Sequence, residues 1–398
     1  MKRLVRKLIK LINEGVDILI LISKKKPSQF NKNILLVRLD AIGDYILFRN
    51  FIEVLKNSEK YKGYKITLVG NIAWKEIAEF LDKNFVEEFI WVDVKKFFRN
   101  PIYRFKVLKE ISKKTYKVVI HPTYSRTFDA DAIVRIANAE EKIGSIGDLS
   151  NISKRLKDKS DKFYTSLIPA SEGIIFEFYR NKEFFENLLE EKIFLKKPKI
   201  DLPEIKFRTK IPKNYAVIFI GASAEFRKWD INNFAVVSRW IKESLGYNIV
   251  LLGGKEDMEK VKTFKKVFGS EDFVDLVGKT TLIDVAYILK DAKMIISNET
   301  FVPHMAVALG CKNIFIIYNG NHFGRFIPYP KEIEESYYPI YHPEIEKDLE
   351  NYKILSNKYG YGSRLNINDI SPEEVIRKIK NILQTSTNQD KGVREICV

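Results

Sequence analysis

The sequence predicts an α/β protein made of two doubly wound, Rossmann-like domains. From residue 33 onward, apolar runs typical of buried strands alternate with amphipathic helical patterns, and this alternation favours mainly parallel sheets. The alternation is interrupted by the Pro- and Lys-rich stretch "KKPKIDLPEIKFRTKIPKN" (196–214), which has no periodicity and is typical of an extended linker. A chain of 398 residues also suits two cores better than one.

The first series of strands and helices predicts an N-terminal domain at residues 31–200. Its strands are expected at "NILLVRL", "KITLVG", "EEFIWVD", "YKVVIHP" and "EKIGSIG". The stretch 148–195 is less regular, because the basic run "SKRLKDKSDK" precedes the aromatic segment "IIFEFYRNKEFFENLL". We interpret this stretch as a loop followed by a helix.

The second series predicts a C-terminal domain at residues 201–330. Its strands are expected at "YAVIFIGAS", "NIVLLGG", "FVDLVGKT", "KMIISN" and "NIFIIYNG". The remainder, 331–398, is predicted to be a C-terminal extension with a closing helix at "SPEEVIRKIKNIL". There Ser371 is expected to cap the helix, Pro372 to occupy its first position and Glu374 to complete a capping box.

Residues 1–30 predict a separate amphipathic, basic helix. Apolar residues repeat there at helical spacing, at Leu4, Val5, Leu8, Leu11, Ile12 and Val16. Basic residues fill the other positions, at Lys2, Arg3, Arg6, Lys7 and Lys10. The uninterrupted apolar run 18–22 is far shorter than the roughly 20 residues that cross a membrane. The pattern fits a helix lying in an anionic membrane surface and, equally, a helix packed on the protein's own body.

The composition narrows the classes of function. A net charge of +16 and an isoelectric point near 9.4 favour an anionic partner, which is a nucleic acid, an acidic lipid surface or a phosphorylated small molecule. Two cysteines and four histidines argue against a disulfide framework and a dedicated transition-metal site, and they favour a reducing compartment. The sequence has no P-loop, no HExxH, GxSxG or kinase motif, and no nucleic-acid-binding module.

Ligands of open parallel sheets bind beyond the carboxyl ends of the strands, where helix N-termini present free N–H groups. The first such turn is "VRLDAIGDYILF", where Gly43 permits a tight turn. Asp44 then opens the next helix, either as an ordinary cap or as a group that faces a ligand. The second turn is "IGASAEFRKWD", where the hydroxyl of Ser223 and the cations of Arg227 and Lys228 suit a diphosphate.

Two further turns carry candidate binding residues. In "LLGGKEDMEKV" the glycines leave room for a ligand, and Glu256 either accepts from ribose hydroxyls or simply begins a solvated helix. In "SNETFVPHMAVALG" Thr300 is expected to cap a helix that begins near Phe301, and the free N–H groups of that helix form an anion site. Glu299 suits a sugar hydroxyl, whereas a lone His304 is more often structural.

Taken in this order, the turns resemble those of glycosyltransferase family 9, the heptosyltransferase-like group. The resemblance covers most of residues 33–325 and rests on "ILLVRLDAIGD", "GASAEFRKWDINNFA", "VLLGGKED" and, most specifically, "DLVGKTTLIDVAYILKDAKMIISNETFVPHMAVALG". It implies the GT-B fold, in which two Rossmann-like domains face each other across a cleft, with the acceptor on the first and the nucleotide-sugar donor on the second. It also implies transfer with inversion and without a bound metal, usually from ADP-heptose to lipopolysaccharide core.

The resemblance also implies roles for individual residues. Asp44 corresponds to the general base that removes the proton of the acceptor hydroxyl. Lys228 with Ser223 neutralises the leaving diphosphate, Glu256 contacts the nucleoside, and Thr300 with the following helix holds the phosphates. The full set of donor-binding residues expected from the turns and the resemblance is Ser223, Arg227, Lys228, Glu256, Glu299, Thr300, Phe301 and His304.

The chain departs from the family pattern in three places. Glu299, Thr300 and Phe301 stand where the family commonly has Asp-Ser/Thr-Gly, so a bulky ring replaces a permissive glycine. Asp230 follows Trp229 where proline is usual, and a long basic segment precedes the first strand. We therefore expect the donor site to differ at Phe301, and the sequence is compatible with a donor other than ADP-heptose.

These features predict an inverting, metal-independent glycosyltransferase. The expected donor is a nucleotide-diphosphate sugar, with ADP-sugar favoured and heptose or a related sugar transferred, and no cofactor is expected. The expected acceptor is a lipopolysaccharide, lipooligosaccharide or other lipid-linked surface glycan. Residues 1–26 are expected to bind an anionic membrane surface, and no nucleic-acid partner is expected. The expected location is therefore cytoplasmic, peripheral on the inner face of the cytoplasmic membrane. The alternatives are a nucleotide-sugar epimerase of the GT-B type and a non-catalytic family member.

Overall fold

The computed structural model describes residues 2–24, 27, 29–204 and 210–395. The chain forms two compact units, Met1–Pro198 and Lys199–Val398. Each unit contains a six-stranded sheet whose neighbouring strands run parallel, with helices connecting most successive strands. Both units therefore have the doubly wound α/β architecture that the alternating sequence pattern predicts.

The first unit is built on a sheet of six strands. They are β1 (Asn33–Arg38), β2 (Lys65–Asn71), β3 (Glu88–Val92), β4 (Thr115–His121), β5 (Asn138–Ser145) and β6 (Ser166–Ile168). Its helices are α1 (Lys2–Ser23), α2 (Ile42–Phe48), α3 (Asn50–Asn57), α4 (Lys75–Leu81), α5 (Val94–Arg99), α6 (Pro101–Ser112), α7 (Phe128–Ile136), α8 (Lys154–Ser160) and α9 (Glu177–Leu189). The strand order is β3-β2-β1-β4-β5-β6.

The centre of this sheet explains why its segments form strands. The side chains of Ile34, Leu35, Leu36 and Val37 in β1 are fully buried. β1 pairs in parallel with β2 on one side and β4 on the other. A continuous apolar run, rather than an alternating one, is typical of a parallel strand that helices cover on both faces.

Helix α1 packs on the first unit, against α5, α6 and α7. Its inner face is partly polar. Asp17 accepts two hydrogen bonds from the guanidinium of Arg104, at 2.7 and 2.8 Å, and Arg104 also pairs with Asp129 at 2.7 Å. Asn13 Nδ2 donates to the carbonyl of Phe98 at 2.9 Å, and Ile20 is fully buried. The helix therefore packs on the protein's own body, which is one of the two interpretations of the sequence pattern.

The outer face of α1 is apolar, which is the reverse of an ordinary surface helix. Seven large apolar side chains are exposed along it, at Val5, Leu8, Leu11, Ile12, Ile18, Leu19 and Ile22. We call this set the α1 outer face. No helix among the described residues is long and apolar enough to cross a membrane.

The second unit contains the other six strands. They are β7 (Tyr215–Phe219), β8 (Asn248–Leu252), β9 (Val274–Asp275), β10 (Met294–Asn298), β11 (Ile314–Tyr318) and β12 (Tyr337–Tyr341), in the order β12-β11-β10-β7-β8-β9. Its helices are α10 (Ile231–Leu245), α11 (Lys260–Phe268), α12 (Leu282–Lys290), α13 (Phe301–Leu309), α14 (Pro343–Glu346), α15 (Tyr352–Tyr359) and α16 (Pro372–Glu395).

Residues after 330 complete the core of the second unit. β12 pairs with β11, and α16 packs against α10. Val375 and Ile379 of α16 are fully buried in the same apolar cluster as Phe234 and Ile241 of α10. The hydroxyl of Ser371 accepts from the backbone N–H of Glu374 at 3.2 Å, which confirms the predicted cap.

The structure corrects three local expectations. The predicted strand "FVDLVGKT" is shorter than expected: β9 comprises only Val274–Asp275, and the chain turns at Gly278, which has a φ of +71°. The helix after β1 begins at Ile42, so Gly43 lies in its first turn rather than before it. The basic run 153–162, which we assigned no element of its own, contains helix α8.

Candidate active site

The candidate donor residues follow adjacent strands of the second unit. β11, β10, β7 and β8 are neighbours in the sheet. Since these strands are parallel, the segments after their carboxyl ends lie along one edge, which we call the carboxyl edge of the second unit. The segments are 319–321 after β11, 299–301 after β10, 220–228 after β7 and 253–257 after β8.

Glu299 is the centre of the first cluster at this edge. Its side chain is buried, and Asn321 Nδ2 contacts both carboxylate oxygens at 3.1 Å. Arg227 Nη1 lies 3.4 Å from Oε1 of Glu299, and Arg227 Nη2 donates to the hydroxyl of Ser223. Burial raises the pKa of Glu299 to about 7, while the contacts with Arg227 and Asn321 oppose this shift. The structure thus joins the predicted residues Ser223, Arg227 and Glu299 in one network.

Lys228 belongs to a second cluster at the same edge. Its amine lies 3.3 Å from Oδ1 of Asp257, a fully buried carboxylate that also accepts from the backbone N–H of Gly254 at 3.1 Å. Burial lowers the pKa of the Lys228 amine, but the attraction of Asp257 and Glu225 outweighs it and the pKa lies above its ordinary value. Lys228 is therefore a fixed positive charge. A Cβ at Gly221 would lie 2.9 Å from Asp257 Oδ2, so glycine makes room for this carboxylate.

Glu256 is exposed and lies beside the second cluster. A Cβ at Gly254 would come within 2.5 Å of both carboxylate oxygens of Glu256. The absence of a side chain at Gly254 therefore lets Glu256 fold back over the turn. The structure shows no polar side-chain partner of Glu256 among the described residues, so its carboxylate is available to a ligand.

The turn into α13 differs from the expected cap. Thr300 occupies the N-cap position in extended conformation, but its side chain makes no hydrogen bond to the helix. The first-turn N–H groups of α13 therefore receive no partner from this hydroxyl. The ring of Phe301 packs edge-on against Phe219, with 5.5 Å between the ring centroids.

His304 is buried in the second turn of the same helix. Its Nδ1 lies 2.8 Å from the hydroxyl of Tyr329, and its ring packs against Phe326. Burial lowers the pKa of His304 to about 3, so the ring is neutral at physiological pH. The structure therefore gives His304 a partner inside the second unit and does not join it to the clusters around Glu299 and Lys228.

Asp44 lies in the first unit, in the first turn of α2, which follows β1. It is half-buried, and the N-cap of the helix is Ala41 rather than Asp44. At the end of β1, buried Arg38 pairs with Asp40 at 2.7 Å and donates to Asn181 at 2.8 Å. Burial raises the pKa of Asp40, and the nearby Arg38 opposes this shift. Asp44 thus follows a strand end that already holds a second acidic side chain.

Sequence reasoning missed Asp257, Asn321 and Asp40. All three follow strands within or directly after segments that were already of interest, so the rule that ligands bind beyond strand ends would have included them. Among the residues that the structure describes, no three His, Cys, Asp or Glu side chains are grouped so that they could hold a metal ion.

Two Rossmann-like units, with charged and polar groups beyond their strand ends, are the architecture of the GT-B class of proteins. The sequence matches the model of glycosyltransferase family 9 (heptosyltransferase) over residues 104–352, which is more than half of the chain. The chain therefore belongs to this family. No curated protein sequence matches it significantly.

Solved structures of the same fold agree with this assignment. The glycosyltransferase family 9 protein from Veillonella parvula is 19% identical, with a TM-score of 0.66 over 91% of this chain and 99% of that one. The Escherichia coli heptosyltransferase WaaC, solved with ADP-2-deoxy-2-fluoro heptose, is 18% identical, with a TM-score of 0.61 over 88% and 99%. The E. coli ADP-heptose lipopolysaccharide heptosyltransferase II is 15% identical, with a TM-score of 0.57 over 89% and 99%.

Proposed function

We propose that this glycosyltransferase moves a heptose or related sugar, with inversion and without a metal, from an ADP-sugar to a lipopolysaccharide-type or other lipid-linked surface glycan. The observation that carries the proposal is the pair of clusters at the carboxyl edge of the second unit. One presents the cation of Lys228 and the other presents Glu299 with Arg227. A diphosphate needs fixed positive charge, and a sugar needs hydrogen-bond acceptors. The WaaC structure with an ADP-sugar analogue supports the choice of nucleotide.

The chemistry of the proposed step follows from these groups. The acceptor hydroxyl oxygen bonds to the anomeric carbon, and the bond from that carbon to the diphosphate oxygen breaks. Asp44 takes the hydroxyl proton, while the diphosphate leaves with the bonding electron pair. Lys228, together with Arg227 and Ser223, stabilises the charge that develops on the diphosphate. The first-turn N–H groups of α13 add to this stabilisation, with Phe301 at the point where family members commonly have glycine.

Other predicted donor contacts complete the proposal. Glu299 accepts from a sugar hydroxyl, and Glu256 accepts from the ribose. His304 acts indirectly, because its bond to Tyr329 supports the helix that follows Thr300. Since Phe301 replaces a glycine, we expect the sugar pocket to be narrower on that side than in relatives that have the glycine.

The enzymatic proposal is tested by binding and by transfer. A thermal-shift panel of ADP-, GDP- and UDP-sugars should identify one base, with ADP expected, because a ligand of the native state raises the melting temperature. Asp44→Asn should keep this shift and lose transfer to a lipopolysaccharide-core acceptor by roughly 10²- to 10⁴-fold, which is the usual contribution of a general base. Asp158→Asn changes an exposed aspartate of the same unit and is the matched control.

Two results would overturn this proposal. Absence of a shift with every nucleotide-sugar would exclude a donor site. Transfer by Asp44→Asn at the rate of the Asp158→Asn control would exclude Asp44 as the base.

We also propose that the α1 outer face lies in an anionic membrane surface. The support is its composition, because exposed leucine and isoleucine side chains form a continuous stripe that includes Leu8, Leu11, Leu19 and Ile22. Positive charge on the same helix comes from Lys10, which is exposed, whereas Lys159 of α8 is paired with Glu14 of α1 at 3.0 Å. Apolar contact together with positive charge is the combination that holds a helix at an anionic lipid surface.

Vesicle flotation tests the membrane proposal. Leu11→Gln/Leu19→Gln should weaken binding to phosphatidylcholine–phosphatidylglycerol vesicles by roughly tenfold or more, because each leucine buries apolar area in the lipid. Ile354→Gln, an exposed isoleucine of the second unit, is the control and should bind like the wild type. Unchanged binding of the leucine variant would show that the α1 outer face does not enter the membrane.

A further inference from the structure

Three cations meet at the carboxyl end of helix α7 in the first unit. Lys142 of β5 donates from Nζ to the carbonyl of Arg135 at 3.0 Å. Lys24, which follows α1, donates from Nζ to the carbonyl of Ile136 at 3.3 Å. The guanidinium of Arg135 itself lies over the ring of Phe163, at 4.9 Å from the ring centroid. We call Lys24, Arg135 and Lys142 the α7 cation cluster.

The cluster is not neutralised within the part of the chain that the structure describes. None of its three side chains forms an ion pair with an acidic residue there, and Glu140, two residues before Lys142, pairs with Lys117 instead at 2.6 Å. The carboxyl end of a helix supplies only about half a negative charge, against three basic side chains here. Helix capping therefore accounts for a small part of the charge.

The pKa values of both lysines are lowered in this arrangement. Burial, followed by repulsion from Lys24 and Arg135, lowers the pKa of Lys142 to about 7. Burial and Arg135 also lower the pKa of Lys24. An anion placed among the three side chains would relieve the repulsion.

The cluster lies away from the candidate catalytic residues. Helix α7 leads through Ala137 directly into the start of β5, so its carboxyl end is at the amino edge of the sheet. Asp44 follows the carboxyl end of β1 in the same parallel sheet, which is the opposite edge. The α7 cation cluster is therefore a different site from the one proposed for transfer.

The α1 outer face ends at Ile22, two residues before Lys24, and the side chain of Lys24 lies on the opposite side of the helix, where it contacts α7. Ile22 is 79% exposed and Leu19 is 62% exposed, and Lys24 follows Ile22 by two residues. A lipid whose acyl chains cover Ile22 would bring its headgroup phosphate to the level of Lys24.

We propose that the α7 cation cluster binds the phosphate of an anionic lipid headgroup. Lys24, Lys142 and Arg135 supply the positive charge, and the α1 outer face supplies the adjoining apolar contact. This inference rests on the membrane association proposed above and adds a defined phosphate site to it. Soluble phosphate would have the same attraction for the cations but would gain nothing from the apolar side chains.

Vesicle flotation with charge-matched variants tests the site. At pH 6, where Lys142 is protonated, Lys24→Gln/Lys142→Gln should weaken binding to phosphatidylcholine–phosphatidylglycerol vesicles by roughly 25-fold, about fivefold for each charged lysine near the surface. Lys262→Gln/Lys266→Gln removes two exposed lysines from α11 of the second unit, so the net charge changes equally, and less than about a twofold effect is expected. Lys24→Arg/Lys142→Arg should keep binding, because the charge is retained.

The possible outcomes distinguish failure of the phosphate site from failure of the membrane association on which it rests. If the wild type does not bind the vesicles, the membrane proposal itself fails. If the wild type binds and the two glutamine pairs lose affinity equally, only net charge matters and the phosphate site is refuted. If inorganic phosphate raises the melting temperature of the wild type but not of Lys24→Gln/Lys142→Gln, while vesicle binding is equal, the ligand is a soluble phosphate compound and the lipid assignment is wrong. Arg135→Gln is a second test of the site should the double variant fail to fold.

Discussion

The protonation state of Glu299, a single side chain at the candidate donor site, affects the stability of the folded protein. The side chain is buried, it is contacted by Asn321 and Arg227, and its pKa is raised to about 7. An ordinary glutamate at this position would be fully ionised at neutral pH. Glu299 instead changes charge in the physiological range, so the acceptor that we propose for a sugar hydroxyl depends on pH.

The protonation of Glu299 predicts a pH-dependent stability. The folded-state pKa of about 7 lies above the ordinary value of 4.5, so the folded protein keeps a proton between these values that the unfolded chain has released. The stabilisation from this residue is therefore complete below pH 4.5 and is lost as the pH rises through 7, by on the order of 3 kcal/mol. Glu299→Gln should gain stability relative to the wild type between pH 5 and pH 8, as urea unfolding would measure.

Glu259→Gln, an exposed glutamate that precedes α11, is the matched control for this prediction. An equal pH-dependent gain in both variants would contradict a special role of Glu299.

At the scale of one element, α1 has its polarity reversed. Asp17 and Asn13 face the protein, while leucines and isoleucines face outward. A helix that merely completed the core would bury its apolar side. The inner face instead depends on the ion pairs of Arg104, which is 1% exposed and contacts both Asp17 and Asp129. Because the pairing is buried, it fixes the position of the helix more firmly than a surface salt bridge would.

This ion pairing predicts that Arg104→Leu is strongly destabilising. Removal of one partner leaves the carboxylate of Asp17 buried without its cation, which typically costs about 3–5 kcal/mol. Adding Asp17→Leu should recover most of the loss, because two apolar residues replace a buried pair.

Lys159→Gln breaks the more exposed contact with Glu14 and should change the free energy of unfolding by less than about 1 kcal/mol. Urea unfolding followed by tryptophan fluorescence measures all four proteins, and a loss in Arg104→Leu as small as that of Lys159→Gln would show that α1 is held mainly by apolar contacts.

At the scale of the whole molecule, the architecture could be predicted because it repeats a simple pattern. Most strands are apolar runs such as that of β1, and most are followed by a helix, so two sheets follow from periodicity. The candidate site was partly predictable, since Glu299 directly follows β10 and Lys228 lies in the segment between β7 and α10. Their partners were not, because Asp257 and Asn321 come from other strand ends, 29 and 22 residues away in sequence. Only the folded sheet brings such residues together.

The orientation of α1 also could not be predicted from the periodicity of the sequence. The sequence pattern has one apolar side and one basic side, and the apolar side of a surface helix is ordinarily the buried one, so periodicity alone points to the wrong inner face. What decides the orientation is the pairing of Asp17 with Arg104, 87 residues later. A contact at that separation leaves no local trace in the sequence pattern.

The late position of β12 and α16 has a consequence for synthesis of the protein. All six strands of the first unit lie within residues 33–168, so its sheet can assemble while the ribosome is still translating the second half. The second unit cannot bury its core until Val375 and Ile379 have also emerged from the ribosome. A premature stop codon before these residues would therefore release a chain whose first half folds and whose second half exposes apolar surface to proteases and aggregation.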